Sequence, residues 1–165
     1  MPLTSFLDHL PPADRELALR IFGCFAEAEH MLKAAGYLKR GRENAEADWD
    51  AYGRAIAGRF KNLRDPALRK ALALLADSPP RRQVVRDGHL AWKDVVRPNG
   101  HGDEEYGLLL VRRVRNNLFH GAKYMLGGEA GYSRDQDLIS AALTVLQHSL
   151  TPMPRKVPAS SHNAA

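Results

Sequence analysis

The chain has 165 residues, the usual size of one domain, and 44% of them are apolar, which is typical of a globular protein with its own core. Its 24 basic and 19 acidic residues give a formal net charge of +5, a moderate excess that favours a polyanionic partner without identifying one. No apolar stretch is long enough to cross a membrane, and the N-terminus lacks a signal-peptide pattern, so we expect a cytoplasmic protein.

The first half of the chain predicts three helices. After Pro12, apolar residues recur at alternating steps of four and three, which indicates the buried face of a long helix that Gly36 closes. The polar residues 39–46 predict a loop, and a second helix is expected over residues 49–61. Asp65, followed by a proline, marks the start of a short third helix.

The second half predicts three further helices. Apolar residues between positions 84 and 96 favour a helix, although Gly88 is unfavourable inside one, and no apolar alternation is long enough to predict a sheet. A long helix is expected from Asp103 to Met125, with acidic residues in its first turn. The last helix should begin at a capping box of Ser133 and Gln136 and end near residues 148–150.

These elements predict an all-α protein with a single-domain bundle of about five to six helices. Residues 1–11 are interpreted as an N-terminal leader and residues 12–150 as the helical domain. Residues 151–165 contain three prolines and no apolar periodicity, so we expect a disordered tail there.

The helix expected over residues 103–125 carries polar residues that a purely structural helix seldom needs. Asparagine costs roughly half a kcal/mol or more relative to alanine in a helix interior, and Gly121 costs about 1 kcal/mol. In projection, Asn116, His120 and Lys123 lie together, opposite the apolar face.

Arg115 projects near the edge of the apolar face, about 140° from His120 on an ideal helix. The two residues therefore do not share a face by simple geometry. Either the arginine side chain wraps around the helix, or the helix is distorted near Asn117 and Gly121, or a second subunit completes the site.

The chemistry of these groups suits RNA cleavage through the 2′-hydroxyl. Histidine exchanges a proton near neutral pH, so His120 is the candidate to handle the proton. Arginine holds a phosphate with two parallel hydrogen bonds, so Arg115 is the candidate to stabilise charge in the transition state, with Asn116 orienting it. This chemistry requires no metal or other cofactor, and the scattered histidines show no metal-ligand spacing.

The segment from Arg115 to His120 reads arginine, four residues, histidine, with a polar residue directly after the arginine. It resembles the signature of the HEPN superfamily, in which four to six residues separate arginine and histidine. The longer string 111–121 resembles a bacterial, partly plasmid-borne branch of that superfamily, as do residues 25–33 with 36–37, 47–50 and 79–85. These blocks run in order and cover most of the chain from about residue 20 to residue 150.

The resemblance implies a HEPN-like helical bundle, commonly a homodimer whose two motifs face each other across the interface. It also implies metal-independent ribonuclease activity in many members, often as toxins with a cognate antitoxin or as antiphage effectors. Some members are non-catalytic. The RNA target and any partner protein are not implied.

Further basic residues predict a path for phosphates. Arg82, Arg112, Arg113 and Lys123 are the candidate substrate-binding residues, although scattered basic residues are also typical of a solvated surface. Glu29 and Lys33 are candidates to support the site. Glu29 is also a natural structural partner for Arg115, and with Lys33 it fits a solvated pair at helical spacing.

The leading hypothesis is therefore a dimeric, metal-independent endoribonuclease that uses Arg115 and His120. A second hypothesis is a non-catalytic helical module that binds RNA, a nucleotide or a protein partner through the same segment. A third is that this helix only builds a dimer interface. Tight RNA binding without turnover distinguishes the second hypothesis from the first, and a stable monomer excludes the third.

Overall fold

Six helices and one two-stranded sheet form the part of the chain that the structure, a computed structural model, describes: residues 11–119 and 129–156. Their order is α1 (Pro12–Ala34), α2 (Trp49–Ala55), α3 (Arg59–Leu63), α4 (Pro66–Asp77), β1 (Arg82–Arg86), β2 (His89–Lys93), α5 (Asp103–Phe119) and α6 (Glu129–Leu150). The prediction of a mostly helical protein is confirmed. The stricter prediction of an all-α bundle is not confirmed, because the described residues also contain a two-stranded sheet.

The boundaries of α1 and α4 follow from local signals in the sequence. Pro12 occupies the first position of α1, where its missing N–H costs nothing. The helix ends just before Gly36, which has a left-handed backbone with φ of +91°. At α4, the carboxylate of Asp65 accepts hydrogen bonds from the backbone N–H groups of Ala67 and Leu68, at 2.7 and 3.2 Å.

The single helix expected over residues 49–61 is two helices. Gly58 takes a left-handed backbone with φ of +82°, which ends the first helical segment and starts α3 in a new direction. The first of the two, α2, is capped by Asp48, whose carboxylate accepts from the N–H of Ala51 at 2.9 Å. The prediction of an uninterrupted helix is therefore wrong.

Residues 82–93 form an antiparallel β-hairpin where the sequence analysis expected a helix. Its two-residue turn is Asp87-Gly88, with φ angles of +51° and +77°. Positive φ at both central residues produces the turn whose twist matches a hairpin. The apolar residues lie on strands instead of one helix face, and Val85 pairs with Leu90 across the hairpin. The predicted helix is wrong because the turn chemistry outweighs the apolar spacing.

The core lies between α6 and the helices that pack on it, which are α1, α4 and α5, while α2 packs against α5. Its largest fully buried apolar side chains are Ile21, Leu32, Tyr52, Leu68, Leu75, Leu108, Leu110, Val111, Val114, Val145 and Leu146. α6 begins at Glu129, so Ser133 lies inside the helix and not at its start. The predicted capping box is wrong, and the side chain of Gln136 donates instead to the carboxylate of Asp14 on α1.

The first six residues of the predicted tail pack against the body of the protein. Met153 packs on the core, and the N–H of Lys156 donates to the carbonyl of Ala35 at 2.9 Å. The ammonium of Lys156 lies 5.9 Å from the ring centroid of Tyr37. The expectation of disorder is therefore wrong for residues 151–156, and the remainder of the tail lies outside the described residues, as does most of the predicted leader.

Candidate functional site

A cavity of about 250 Å³ lies between α1, the loop that precedes α2, and α5. We call it the α1–α5 cavity. It is lined by Phe25, Glu29, Lys33, Lys39, Ala45, Glu46, Ala47, Trp49, Arg112, Arg115 and Asn116. Two of the predicted catalytic residues, one predicted substrate-binding residue and both predicted supporting residues therefore meet in one place.

Helical spacing explains why these side chains converge. On α1, Phe25, Glu29 and Lys33 are successive members of an i, i+4, i+8 series and share one face. On α5, Arg112 and Arg115 are three residues apart, and Asn116 completes an i, i+4 pair with Arg112. The two polar faces meet at the cavity, while the apolar faces of the same helices enter the core.

The guanidinium of Arg115 is positioned by an aromatic ring and by an amide. Its central carbon lies 5.0 Å from the ring centroid of Phe25, a distance that suits a cation–π interaction. Its Nη1 donates to Oδ1 of Asn116 at 3.0 Å. Phe25 is stacked in turn on the buried ring of Trp49, with 4.9 Å between centroids and 23° between planes. Arg115 is therefore a half-buried cation held on an aromatic platform.

The carboxylate of Glu29 and the guanidinium of Arg115 line the same cavity. The structural alternative from the sequence, in which Glu29 neutralises Arg115, stays a prediction. Glu29 adds a carboxylate to the cavity wall.

The wall opposite α1 and α5 comes from residues 37–48, which fold back on themselves. Leu38 and Ala47 form an isolated antiparallel bridge, and the N–H of Lys39 donates to the carbonyl of Glu46 at 3.0 Å. The side chains of Lys39 and Glu46 form an ion pair at 3.1 Å. The hydrogen bond and the positive charge of Lys39, with that of Arg42, lower the pKa of the Glu46 carboxyl.

The cavity has an excess of positive charge. Its lining contains four cationic side chains against two carboxylates. Arg112 is also paired with Asp50 of α2, with 3.4 Å between Nη1 and Oδ1, and this pair holds the guanidinium at the edge of the cavity. An anion of about the size of a phosphate group is the ligand that this charge distribution favours.

The other predicted substrate-binding residues lie elsewhere or outside the described chain. Arg113 and Arg82 do not line the α1–α5 cavity. Nε of Arg113 is shielded from solvent without a hydrogen-bond acceptor among the described residues. Burial lowers the pKa of Arg113, and the nearby charges of Arg82 and Arg112 lower it further. Arg82 and Arg113 thus adjoin the cavity without lining it, next to Arg112, which does line it.

His120 and Lys123 fall outside the described residues, and His120 follows directly on the last residue of α5. Its position relative to Arg115 therefore stays a prediction. Three residues of the site were not predicted from the sequence, namely Lys39, Glu46 and Phe25. The i, i+4 relationship of Phe25 to Glu29 was a usable signal, whereas the bridge that brings residues 39 and 46 together leaves no local signal.

Comparison with protein-family models, with curated proteins and with solved structures gives no match for this chain. The HEPN resemblance thus rests on the residues quoted for it. In the described ranges, 11–119 and 129–156, histidine, cysteine and acidic side chains form no group of three that could hold a metal ion. The helices of the same ranges include none with the length and apolar character needed to span a membrane.

Proposed function

We propose that the α1–α5 cavity is the RNA site of a metal-independent endoribonuclease of the HEPN type. The observation that supports the proposal is the convergence of Arg115, Asn116, Arg112, Lys33 and Glu29 on one positively charged cavity. The sequence predicts phosphate chemistry for Arg115, Asn116 and Arg112 and a supporting role for Glu29 and Lys33. These residues come from two different helices. If Arg115 had only a structural role at the edge of the helix, the other four residues would have no reason to line the same cavity.

In the proposed reaction, the 2′-hydroxyl oxygen of one nucleotide attacks the adjacent phosphorus. The new O2′–P bond forms as the P–O5′ bond breaks, which leaves a 2′,3′-cyclic phosphate and a free 5′-hydroxyl. His120 accepts the proton of the 2′-hydroxyl, and a water molecule donates a proton to the departing O5′. Arg115 neutralises the charge that develops on the non-bridging phosphate oxygens.

The surroundings of Arg115 suit this role. An arginine can stabilise a phosphorane-like transition state only if its guanidinium is already oriented, because reorientation during the reaction costs free energy. The ring of Phe25 and the amide of Asn116 restrict that guanidinium before RNA binds. Asn116 therefore acts as a positioning residue for Arg115.

The size of the cavity favours a single nucleotide unit. Pockets for drug-sized ligands have volumes of about 300–1,000 Å³, whereas the α1–α5 cavity has about 250 Å³. One ribose with its phosphate fits this space, and the rest of the strand continues outside. We propose that a homodimer places two such sites near each other, with a cognate antitoxin as a protein partner that blocks access to them.

Cleavage of a short RNA by the purified full-length protein in excess chelator tests the proposal. We expect cleavage of the RNA and none of the same strand with 2′-deoxyribose at the cut site. The folded variant His120→Ala should lose at least about 100-fold in rate. Arg69→Ala, an exposed arginine on α4, is the matched control and should cleave like the wild type.

Two results would contradict the proposal. Cleavage that persists at the deoxyribose position excludes attack by the 2′-hydroxyl. Tight binding of RNA by the wild type without any turnover assigns the cavity to the second hypothesis, a binding module. In that case Arg115→Ala should weaken binding, and the cation–π and amide contacts would position a binding group instead of a catalytic one.

A further inference from the structure

The β-hairpin of residues 82–93 has one basic face. Alternate residues of a strand point to opposite sides, so the pairs Arg82 with Lys93, Val84 with Ala91, and Arg86 with His89 lie on the same side. The other side carries the pairs Gln83 with Trp92 and Val85 with Leu90. The basic face therefore holds all four ionisable residues of the two strands.

This arrangement is unfavourable for the hairpin alone. Arg82 and Lys93 are like charges in directly opposed positions, which destabilises an antiparallel pair. The two strands contain no acidic residue, and the described ion pairs include none of these four side chains. All four are exposed. A bound polyanion would relieve the repulsion.

The hairpin is fixed next to the α1–α5 cavity. Nδ2 of Asn117, which is buried on α5, donates to the carbonyl of Arg81 at the base of the hairpin, at 2.8 Å. Arg82 lies close enough to Arg113 to lower the pKa of that guanidinium, and Arg112 is the next residue along α5 toward the cavity. Basic side chains thus run from the hairpin to the cavity edge.

We propose that the basic face of the hairpin, with Arg82, Arg86, His89 and Lys93, binds the sugar–phosphate backbone of a single RNA strand that extends out of the α1–α5 cavity. The pairs Arg82–Lys93 and Arg86–His89 are four residues apart, which is about 13 Å along a strand. That length spans several phosphates of a nucleic-acid strand. The choice of RNA as ligand rests on the proposed function, whereas the phosphate-binding face rests on the charges and register of the hairpin.

Binding of a single-stranded RNA of about 20 nucleotides, made uncleavable by 2′-O-methyl groups, tests this inference without requiring catalysis. We expect the double variant Arg86→Gln with Lys93→Gln to lose about tenfold in affinity near 0.1 M salt. Loss of two phosphate contacts should also reduce the slope of log affinity against log salt by about 1.4. The thermal stability of the free variant should not fall, because a repulsive pair has been removed.

The matched control is Arg69→Gln with Lys70→Gln on α4, which removes the same net charge from exposed positions away from the hairpin. A control with equal losses of affinity and slope would overturn the proposal, because net charge alone would then explain binding. Unchanged affinity of the hairpin variant would also overturn it. If the hairpin variant lost binding to vesicles with anionic lipid but kept its binding to the RNA, the face would be assigned to a membrane surface. That result would contradict the proposal.

Cleavage kinetics distinguish a failure of the hairpin proposal from a failure of the proposed function. For a cleavable RNA of about 20 nucleotides, the hairpin variant should have a raised KM with kcat unchanged, since the contacts lie outside the reacting unit. A dinucleotide that occupies only the cavity should be cleaved by the variant and the wild type at equal rates. If the wild type cleaves neither substrate, the proposed function fails, and the binding measurement still decides the role of the hairpin.

Discussion

The guanidinium of Arg115 lies over the ring of Phe25, with 5.0 Å between the guanidinium carbon and the ring centroid. This contact links the catalytic candidate on α5 to α1, and the stack of Phe25 on Trp49 extends it to the start of α2. Three segments that are distant in sequence therefore fix one cation. A purely structural arginine would be stabilised as well by exposing its guanidinium to solvent. The arrangement therefore favours a role that requires an oriented guanidinium.

The aromatic platform predicts an effect of Phe25→Leu on cleavage. Leucine keeps an apolar side chain in the core but removes the ring face, so Arg115 loses a contact of about 0.5–1 kcal/mol. The rate of RNA cleavage should fall about three- to fivefold. The free energy of unfolding should fall by about 1 kcal/mol. Single-turnover kinetics and chemical denaturation measure the two effects.

Phe60→Leu is the matched control for that variant. Phe60 is as buried as Phe25 but lies on α3, outside the lining of the α1–α5 cavity. It should show a similar loss of stability with unchanged cleavage. Equal losses of cleavage in both variants would mean that general destabilisation explains the effect of Phe25→Leu.

Asn117→Ala should loosen the hairpin. The substitution removes the hydrogen bond to the carbonyl of Arg81 and leaves that acceptor unpaired, which costs about 1–2 kcal/mol. Hydrogen exchange should accelerate at the amides of β1 and β2 more than at those of α1. Asn62→Ala, at an exposed position of α3, should leave exchange unchanged. Uniform acceleration across the chain would argue against a local tether.

Two glycines in helices should respond to alanine in opposite ways. At Gly53 a Cβ atom would lie 2.8 Å from Cγ and 2.9 Å from Cα of Glu105, so α2 and α5 must separate. Gly53→Ala should therefore destabilise the protein by about 1–3 kcal/mol. At Gly23 a Cβ atom would meet nothing within 4 Å, so Gly23→Ala should stabilise α1 by about 0.5–1 kcal/mol. Chemical denaturation measures both effects, and a Gly53→Ala protein as stable as the wild type would contradict the close packing of α2 on α5.

Asp65 should make the stability of the protein depend on pH in the acidic range. The backbone N–H of Leu68 lowers the pKa of its carboxyl most, and hydrogen bonds from His148 and Ala67 lower it further, from an ordinary value of 3.8. A lowered pKa in the folded state stabilises the protein above about pH 4, and this contribution disappears as pH falls through the folded pKa. The stability advantage of the wild type over Asp65→Asn should therefore be full near neutral pH and shrink below about pH 4. Thermal unfolding across that range measures it, and an advantage independent of pH would contradict the assignment.

Much of the helical framework could be predicted because its signals are local. Asp65 with the following proline starts α4, and Gly36 closes the end of α1, as expected from short-range chemistry. The β-hairpin was missed because its apolar residues also fit helical spacing over a short segment. The Asp87-Gly88 turn was the signal that could have found it.

The candidate site could be predicted only in part. Arg115, Asn116 and Glu29 were selected for their chemistry and their positions on helix faces, and the structure brings them to one cavity. The wall made by Lys39 and Glu46 depends on a bridge between Leu38 and Ala47, which no periodicity reveals. The aromatic contact under Arg115 depends on how α1 and α5 pack, which is a property of the whole fold.

The most direct test of the central claim is the single-turnover cleavage rate of a DNA strand that contains one ribose, measured in excess chelator with wild type and Arg115→Ala. Cleavage by the wild type directly after that ribose, with a cyclic phosphate identified by mass, and a rate at least about 100-fold lower in the folded variant, is the predicted result. An Arg115→Ala protein that cleaves at the wild-type rate would contradict the claim that this cavity is the reacting centre.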